Sequence, residues 1–165
     1  MSENKYNPSY KIYKANFKDY NRGAASSWEL NPNTCNFFIT IAKQSKNKSS
    51  SGNAVFEWKE NSQTFKLNEN DLANVLLVLS GERDFIGEQT EKSGQKGSGL
   101  FHKNKYGNSI LKIYKMSMDD RKSFGMEISS QQNNGYFRSG HIISESEAKI
   151  LCIIIEDCIR RLFNC

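Results

Sequence analysis

Histidine is almost absent from this chain: His102 and His141 are the only two among 165 residues. Neither has a cysteine or carboxylate at metal-ligand spacing beside it, so zinc binding and histidine-centred acid–base chemistry have nothing to build on. A CxxC pair is missing too. Of the four cysteines, Cys152, Cys158 and Cys165 sit in or beside the last helical stretch and Cys35 lies far from them, so all four read as reduced thiols that pack as small apolar groups. The longest purely apolar run, Ile150 to Ile155, is too short to span a bilayer, and the opening MSENKYNPSYKIYK has no apolar core segment. The expectation is a soluble, intracellular protein with no membrane partner. The glycine-rich SGQKGSG at 93–99 lacks P-loop spacing and reads as a flexible loop. Asp119-Asp120, between two strand-like stretches, reads as a solvated turn rather than a catalytic carboxylate pair. No metal, no cofactor and no enzymatic activity are therefore expected.

What the chain does have is unevenly placed positive charge. The 23 Lys and Arg exceed the 18 Asp and Glu, giving a net charge of +5. Residues 1–60 and 101–140 each carry a surplus of four positive charges, whereas 67–91 hold six acidic side chains against one basic. A basic balance favours an acidic partner such as nucleic acid.

Period-2 alternation marks strands at 11–17, 35–43, 54–59 and 63–67, with a further strand over 21–32 closed by a turn at Asn31-Pro32. The stretch KQSKNKSSSGN at 43–53 reads as a flexible basic hairpin loop. The period then changes: Leu72, Val75, Leu76 and Leu79 stand at helical spacing behind Asn68 as N-cap with Asp71 three residues on, and the run stops at Gly81. Strands resume at 99–103, 109–118, 123–131 and 135–143. A second helix opens on Ser144 with Glu147 three residues later, a capping box, and continues through Ala148, Leu151, Cys152, Ile155, Ile159 and Leu162. The two helix entries, Leu67 to Asp71 and Ile143 to Glu147, match in residue type position by position. This predicts one α+β domain over 1–165, built from a duplicated four-strand-plus-helix unit: unit one about 10–81, a mobile linker about 82–99, and unit two about 100–165. Two antiparallel sheets pack together, each helix covers one sheet, and the other sheet faces stay available. The second helix also shows Ile150, Ile153 and Ile154 outside its main stripe, which predicts a helix-mediated homo-oligomer.

The binding chemistry lies in lysines interleaved with aromatics. Lys-Ile-Tyr-Lys occurs at 11–14 and again at 112–115; in a strand it places Lys11 with Tyr13, and Lys112 with Tyr114, on one face and the isoleucines on the other. Similar interleaving recurs in Phe56-Glu57-Trp58-Lys59, in Phe101-His102-Lys103-Asn104-Lys105-Tyr106 and in Tyr136-Phe137-Arg138. Cations hold phosphates while aromatic rings stack on unpaired bases at about 1–3 kcal/mol each. The candidate phosphate contacts are Lys11, Lys14, Arg22, Lys43, Lys103, Lys112, Lys115 and Arg138; the candidate stacking residues are Tyr13, Trp28, Phe38, Phe56, Trp58, Phe101, Tyr106 and Tyr114. The same aromatics could equally serve as core or cross-strand packing. The reading is a binder of single-stranded DNA, with RNA left open. The second reading is a transcription cofactor or scaffold that uses the same sheet for protein contacts.

These residues resemble the Whirly family of single-stranded DNA-binding proteins, related in fold to the positive-cofactor-type transcriptional coactivators. Phe56-Glu57-Trp58 ahead of Phe65-Lys66-Leu67-Asn68 and a helix is similar to that family's aromatic-acid-Trp step before Phe-x-Leu-Ser. Leu100-Phe101-His102 resembles its Phe-His strand, Ile110-Leu111-Lys112-Ile113 its Val-Leu-Lys-Val strand, and Ser144 to Phe163 its capped closing helix, all in the same order. The family's DNA-contacting Lys-Gly-Lys-Ala-Ala-Leu motif is matched in part by Arg22-Gly23-Ala24-Ala25, with the second lysine missing and Ser26 in place of leucine. The resemblance implies sequence-tolerant binding of single strands, homotetramers, and a role in replication, repair, transcription or genome maintenance.

Overall fold

The structure, a computed structural model, describes residues 9–89, 94–118, 120–133 and 135–164. Asp119 of the expected turn, Cys165 and part of the 82–99 segment lie outside the described residues. The first unit runs β1 (Ser9–Lys14), a 3-10 turn (Tyr20–Arg22), β2 (Ala24–Asn31), β3 (Asn36–Lys48), β4 (Ala54–Phe56), β5 (Ser62–Leu67) and α1 (Glu69–Leu79). The second runs β6 (Leu100–Asn104), β7 (Gly107–Met118), β8 (Arg121–Gln132), β9 (Gly135–Ser144) and α2 (Glu145–Leu162). Each unit is an antiparallel meander that ends in a helix: β1-β2-β3 with β4 and β5 on the far edge of β3, and β6-β7-β8-β9.

The helix starts follow from the same local chemistry. The Asn68 side chain accepts from the Asp71 amide and the Asp71 carboxylate accepts from the Asn68 amide; Ser144 and Glu147 do the same for α2. Each box satisfies amides that a helix start otherwise leaves without partners. Because the caps correspond, the buried positions do too: Leu72, Val75 and Leu79 of α1 stand where α2 has Ala148, Leu151 and Ile155.

The inner faces of the two sheets and the helices share one core. Trp28, Ile39, Ile41 and Phe65 come from one sheet, Leu111, Ile113, Met126, Ile128 and Ile143 from the other. A hydrogen bond and a ring stack also join the sheets: Ser130 Oγ donates to Gln63 Oε1 at 2.9 Å, and His102 of β6 stacks on Phe65 at 4.1 Å between centroids. The helices depart from the expectation of one helix per sheet. They pack on each other, α1 touches both β5 and β7, and α2 touches β1 as well as β8 and β9. The shared arrangement buries both helices' apolar stripes at once, which one sheet apiece would not.

Three local expectations change. The 43–53 stretch is not a free loop: β3 continues to Lys48 and pairs with β4 at Gln44–Phe56 and Lys48–Ala54, leaving only the turn between. Within the 82–99 segment, residues 84–86 are pinned to the second unit. The Ile86 amide donates to the Ile113 carbonyl and the Lys115 amide to the Asp84 carbonyl, and the Ile86 side chain is in the core. Residues 84–86 thereby extend the edge of β7 beyond the end of β6. Finally, Cys35 is disulfide-bonded, against the expectation of four reduced thiols; pairing between distant cysteines cannot be read from spacing. Cys152 and Cys158 are free and buried, and burial pushes the Cys158 thiol up to about 11.

Candidate nucleic-acid interface

Alternation along paired strands decides which side chains reach the outside. Across the first sheet, Lys11, Ser27, Thr40 and Thr64 form one outward row and Tyr13, Ala25, Ala42 and Ser62 the next, while Ile12, Ser26 and Ile41 point inward between them. The chain leaving β4 crosses this outward face. Phe56 reaches Tyr13 at 5.6 Å between centroids, and Lys11 Nζ sits 5.5 Å from the Trp58 ring. β4 is attached to the far edge of β3, so the 56–58 arm spans β2 and β3 to reach β1. Ala25 and Ala42, the small residues beneath, are fully buried. The arm is locked from below by Ser62 Oγ donating to the Trp58 carbonyl at 2.6 Å and by Asn61 Nδ2 donating to Glu57 at 3.1 Å. Phe38 shares the outward face, one row beyond Lys11 and beside Lys66.

The Arg22-Gly23-Ala24-Ala25 stretch feeds this face. A side chain at 23 would run into Gln44, whose amide oxygen lies 1.7 Å from the position a Cβ would take. Gln44, buried, accepts from the Asn16 amide at 2.7 Å and so fixes the loop between β1 and β2. Arg22 itself is exposed, 3.7 Å from Asp19. Phe17, exposed on the same loop, stands under Lys48 Nζ at 5.4 Å. Neither Phe17, Lys48 nor Gln44 was anticipated. The Phe17 signal is there in KANFKDY, but the loop that presents it is set by Gln44, 28 residues beyond Asn16.

The second sheet has its own outward face. Phe101, Ile110, Ser129 and Arg138 form one row, Lys103, Asn108, Gln131 and Tyr136 another, with Lys112–Glu127 and Tyr114–Gly125 further along. The Tyr114 ring lies flat on Gly125: a Cβ there would sit 2.3–2.5 Å from three of its atoms. Lys96 stands on Tyr114 at 5.4 Å. Arg138 is engaged by Glu127 at 2.9 Å, and that hydrogen bond and charge raise its pKa. Tyr106 projects from the β6–β7 turn beside Lys105 at 4.8 Å, and Tyr136 is exposed.

Four of the expected contact residues stand elsewhere. Trp28 is 0% exposed and belongs to the core, where its Nε1 donates to Ser26 Oγ at 3.0 Å. Both faces of β2 are covered, so AASSWEL shows no alternation from which to tell. Lys14, Lys43 and Lys115 share the inward parity of the isoleucines. Lys14 Nζ pairs with Glu147 at 2.8 Å, Lys43 stands 4.9 Å over Phe137 of β9, and Lys115, whose amide donates to the Asp84 carbonyl, lines a small pocket with Asp84 and Phe85. His141 completes the buried link, with Nε2 2.7 Å from Ser26 Oγ. Ser26 receives the indole proton, so its own proton goes to Nε2, and Nδ1 donates to the Ile142 carbonyl at 3.1 Å. Desolvation holds His141 below its ordinary pKa. Among the described residues no cluster of His, Cys, Asp or Glu could hold a metal ion, and no helix is long and apolar enough to cross a membrane.

Two meanders sharing a core, each closed by a capped helix, define the Whirly-like fold. No protein-family model and no curated protein sequence matches the chain. Among solved structures it is similar to MRP1/MRP2 of Trypanosoma bruciei, with a TM-score of 0.67 at 14% identity over 97% of this chain and 87% of that one. WHY1 of Arabidopsis thaliana gives a TM-score of 0.67 at 13% identity over 97% and 93%. A guide-RNA-binding protein complex bound to a gRNA gives 0.64 at 14% identity over 94% and 92%. At such identities the likeness establishes the fold.

Proposed function

We propose that this chain is a non-enzymatic, sequence-tolerant binder of single-stranded nucleic acid, acting inside the cell on single-stranded DNA in replication, repair or genome maintenance. One observation carries the reading: the Phe56–Trp58 arm crosses an alanine floor to meet Tyr13 and Lys11. Aromatic faces and a cation then lie on one outward surface. Paired bases offer no ring faces, so such a surface favours unpaired strands, and stacking accepts every base. The likeness to a complex bound to a gRNA supports the nucleic-acid class and keeps RNA in view.

The assembly proposed is a homotetramer formed through α2. Ile150, Ile153 and Phe163 are exposed there, Ile153 by 59%, an apolar stripe that a second copy would cover. The test is a titration with labelled single strands of DNA and RNA and with duplex. Micromolar or tighter single-strand binding with weak duplex binding is the expected result. Absence of single-strand binding overturns it and leaves the protein-scaffold reading.

A further inference from the structure

At the start of α2 a groove of about 1080 Å³ opens between the helix, the Lys14 end of β1 and residues 120–123 at the start of β8. Arg121, Lys122 and Lys149 line it, and none has a carboxylate partner within ion-pair distance among the described residues. Lys14 lines it as well but is held by Glu147. Asp120 and Glu145 contribute negative charge to the rim.

Two features of the groove are independent of those cations. The capping box satisfies the amides of Ser144 and Glu147, which leaves the Glu145 and Ser146 amides at the positive end of an 18-residue helix. Ser123, directly across from the N-cap residue Ser144 in the β8–β9 pairing, lines the same groove. Ser123 is 9% exposed, and its Oγ has no hydrogen-bond partner among the described residues. A buried hydroxyl without a partner is costly, and this one stands beside helix amides and cations that have no ion-pair partner among the described residues.

We infer that this groove is a phosphate seat, separate from the stacking face, that takes a phosphomonoester. The helix amides and the Ser123 hydroxyl donate to its oxygens, and Arg121, Lys122 and Lys149 balance its charge. A monoester presents three terminal oxygens, one for each of the Glu145 and Ser146 amides and the Ser123 hydroxyl, where a diester presents two, and Arg121, Lys122 and Lys149 outnumber the Asp120 and Glu145 carboxylates of the rim. The group can come from the 5′ end of a strand or from a free phosphorylated small molecule.

Inorganic phosphate titrated at constant ionic strength into the full chain, followed by amide NMR, tests the site directly. Saturable shifts at Ser123, Glu145 and Ser146 are expected, weakened at least tenfold in the Lys122→Ala/Lys149→Ala double variant, whose exposed side chains leave the fold intact. Ser123→Ala should weaken phosphate several-fold without lowering Tm. A hydroxyl that is only a buried orphan would give unchanged phosphate affinity in that variant and would overturn its role. Absence of saturation in the wild type, or equal affinity in the double variant, overturns the site. A 5′-phosphorylated oligonucleotide then identifies the source: tighter binding than its 5′-hydroxyl counterpart, lost in the double variant, assigns a strand end. Equal binding with the phosphate titration intact assigns a free monoester. Trp58→Ala leaves the phosphate titration unchanged, so failure of the stacking face and failure of this seat are seen separately.

Discussion

The two tryptophans separate core from surface. Trp28→Ala removes a wholly buried indole and frees Ser26 from one of its partners, so a loss of about 3–5 kcal/mol in urea unfolding is expected. Trp58→Ala should leave unfolding nearly unchanged and cost about 1–3 kcal/mol of single-strand affinity in an anisotropy titration. The opposite pattern would exchange their roles. The sequence distinguishes the two only in part. Alternation put Lys11 and Tyr13 outward, as they are, and by the same parity the second lysine of each Lys-Ile-Tyr-Lys, Lys14 and Lys115, falls on the isoleucine side. Nothing in AASSWEL shows that Trp28 points into a core supplied by strands from both units. His141 adds a pH dependence. Its pKa is below the ordinary 6.5 when folded, so the unfolded chain takes up the proton first and stability falls as pH drops below about 6.5. For Glu147, burial pushes upward, but hydrogen bonds from Lys14 and from the Ser144 amide and hydroxyl hold the pKa below 4.5. Its stabilisation is present above that value and disappears as pH falls through the lower window. In thermal melts against pH, His141→Asn should flatten the loss that begins near 6.5 and keep the one below 4.5; persistence of the upper loss would place its origin elsewhere.

At the level of elements, the capped helices were the most legible part of the chain because a capping box is local: Asn68-x-x-Asp71 and Ser144-x-x-Glu147 carry both halves of their own geometry. Each cap substitution to Ala should cost about 1 kcal/mol. Ser144→Ala should cost more than Asn68→Ala, since Glu147 also holds Lys14 of β1; equal costs in urea unfolding would show that the Lys14 contact adds nothing. The outer half of β3 was less legible, because KQSKNK has a loop's composition and only its pairing with β4 makes it a strand. That pairing carries the Phe56–Trp58 arm, so part of the candidate face depends on a ribbon with few apolar residues. Gly125 tests the other face: Gly125→Val places a side chain where the Tyr114 ring lies, lifting the ring while the β8 ladder persists. If Tyr114 is a platform for bases, single-strand affinity should fall with little change in Tm; unchanged affinity would assign the flat tyrosine to packing.

For the molecule as a whole, the net charge of +5 overstates the cations free to meet a strand. Of the eight candidate phosphate contacts, Lys14 and Arg138 are held by carboxylates and Lys43 and Lys115 share the inward parity, which leaves Lys11, Lys103, Lys112 and the exposed Arg22, the last with Asp19 at 3.7 Å. The two outward faces turn away from the core they share, so one extended strand passing over one face meets only that face's cations. A single strand releases counterions with a slope of log K against log salt of about −0.7 per phosphate contact, so four contacts give about −3 and one face alone about half of that. Measured per protomer, a slope near −1.5 would mean that a strand uses one face, and one near −3 that it reaches both. Face-specific variants decide which face: Lys11→Ala with Trp58→Ala should flatten the slope and lower affinity if the first sheet is used, and Lys112→Ala with Phe101→Ala should do so if the second is. Duplex of the same sequence should bind more weakly at every salt concentration, because it keeps the phosphates but hides the ring faces. Equal affinity for duplex and single strand, with both variant pairs silent, would remove stacking from the mechanism and leave only a basic surface.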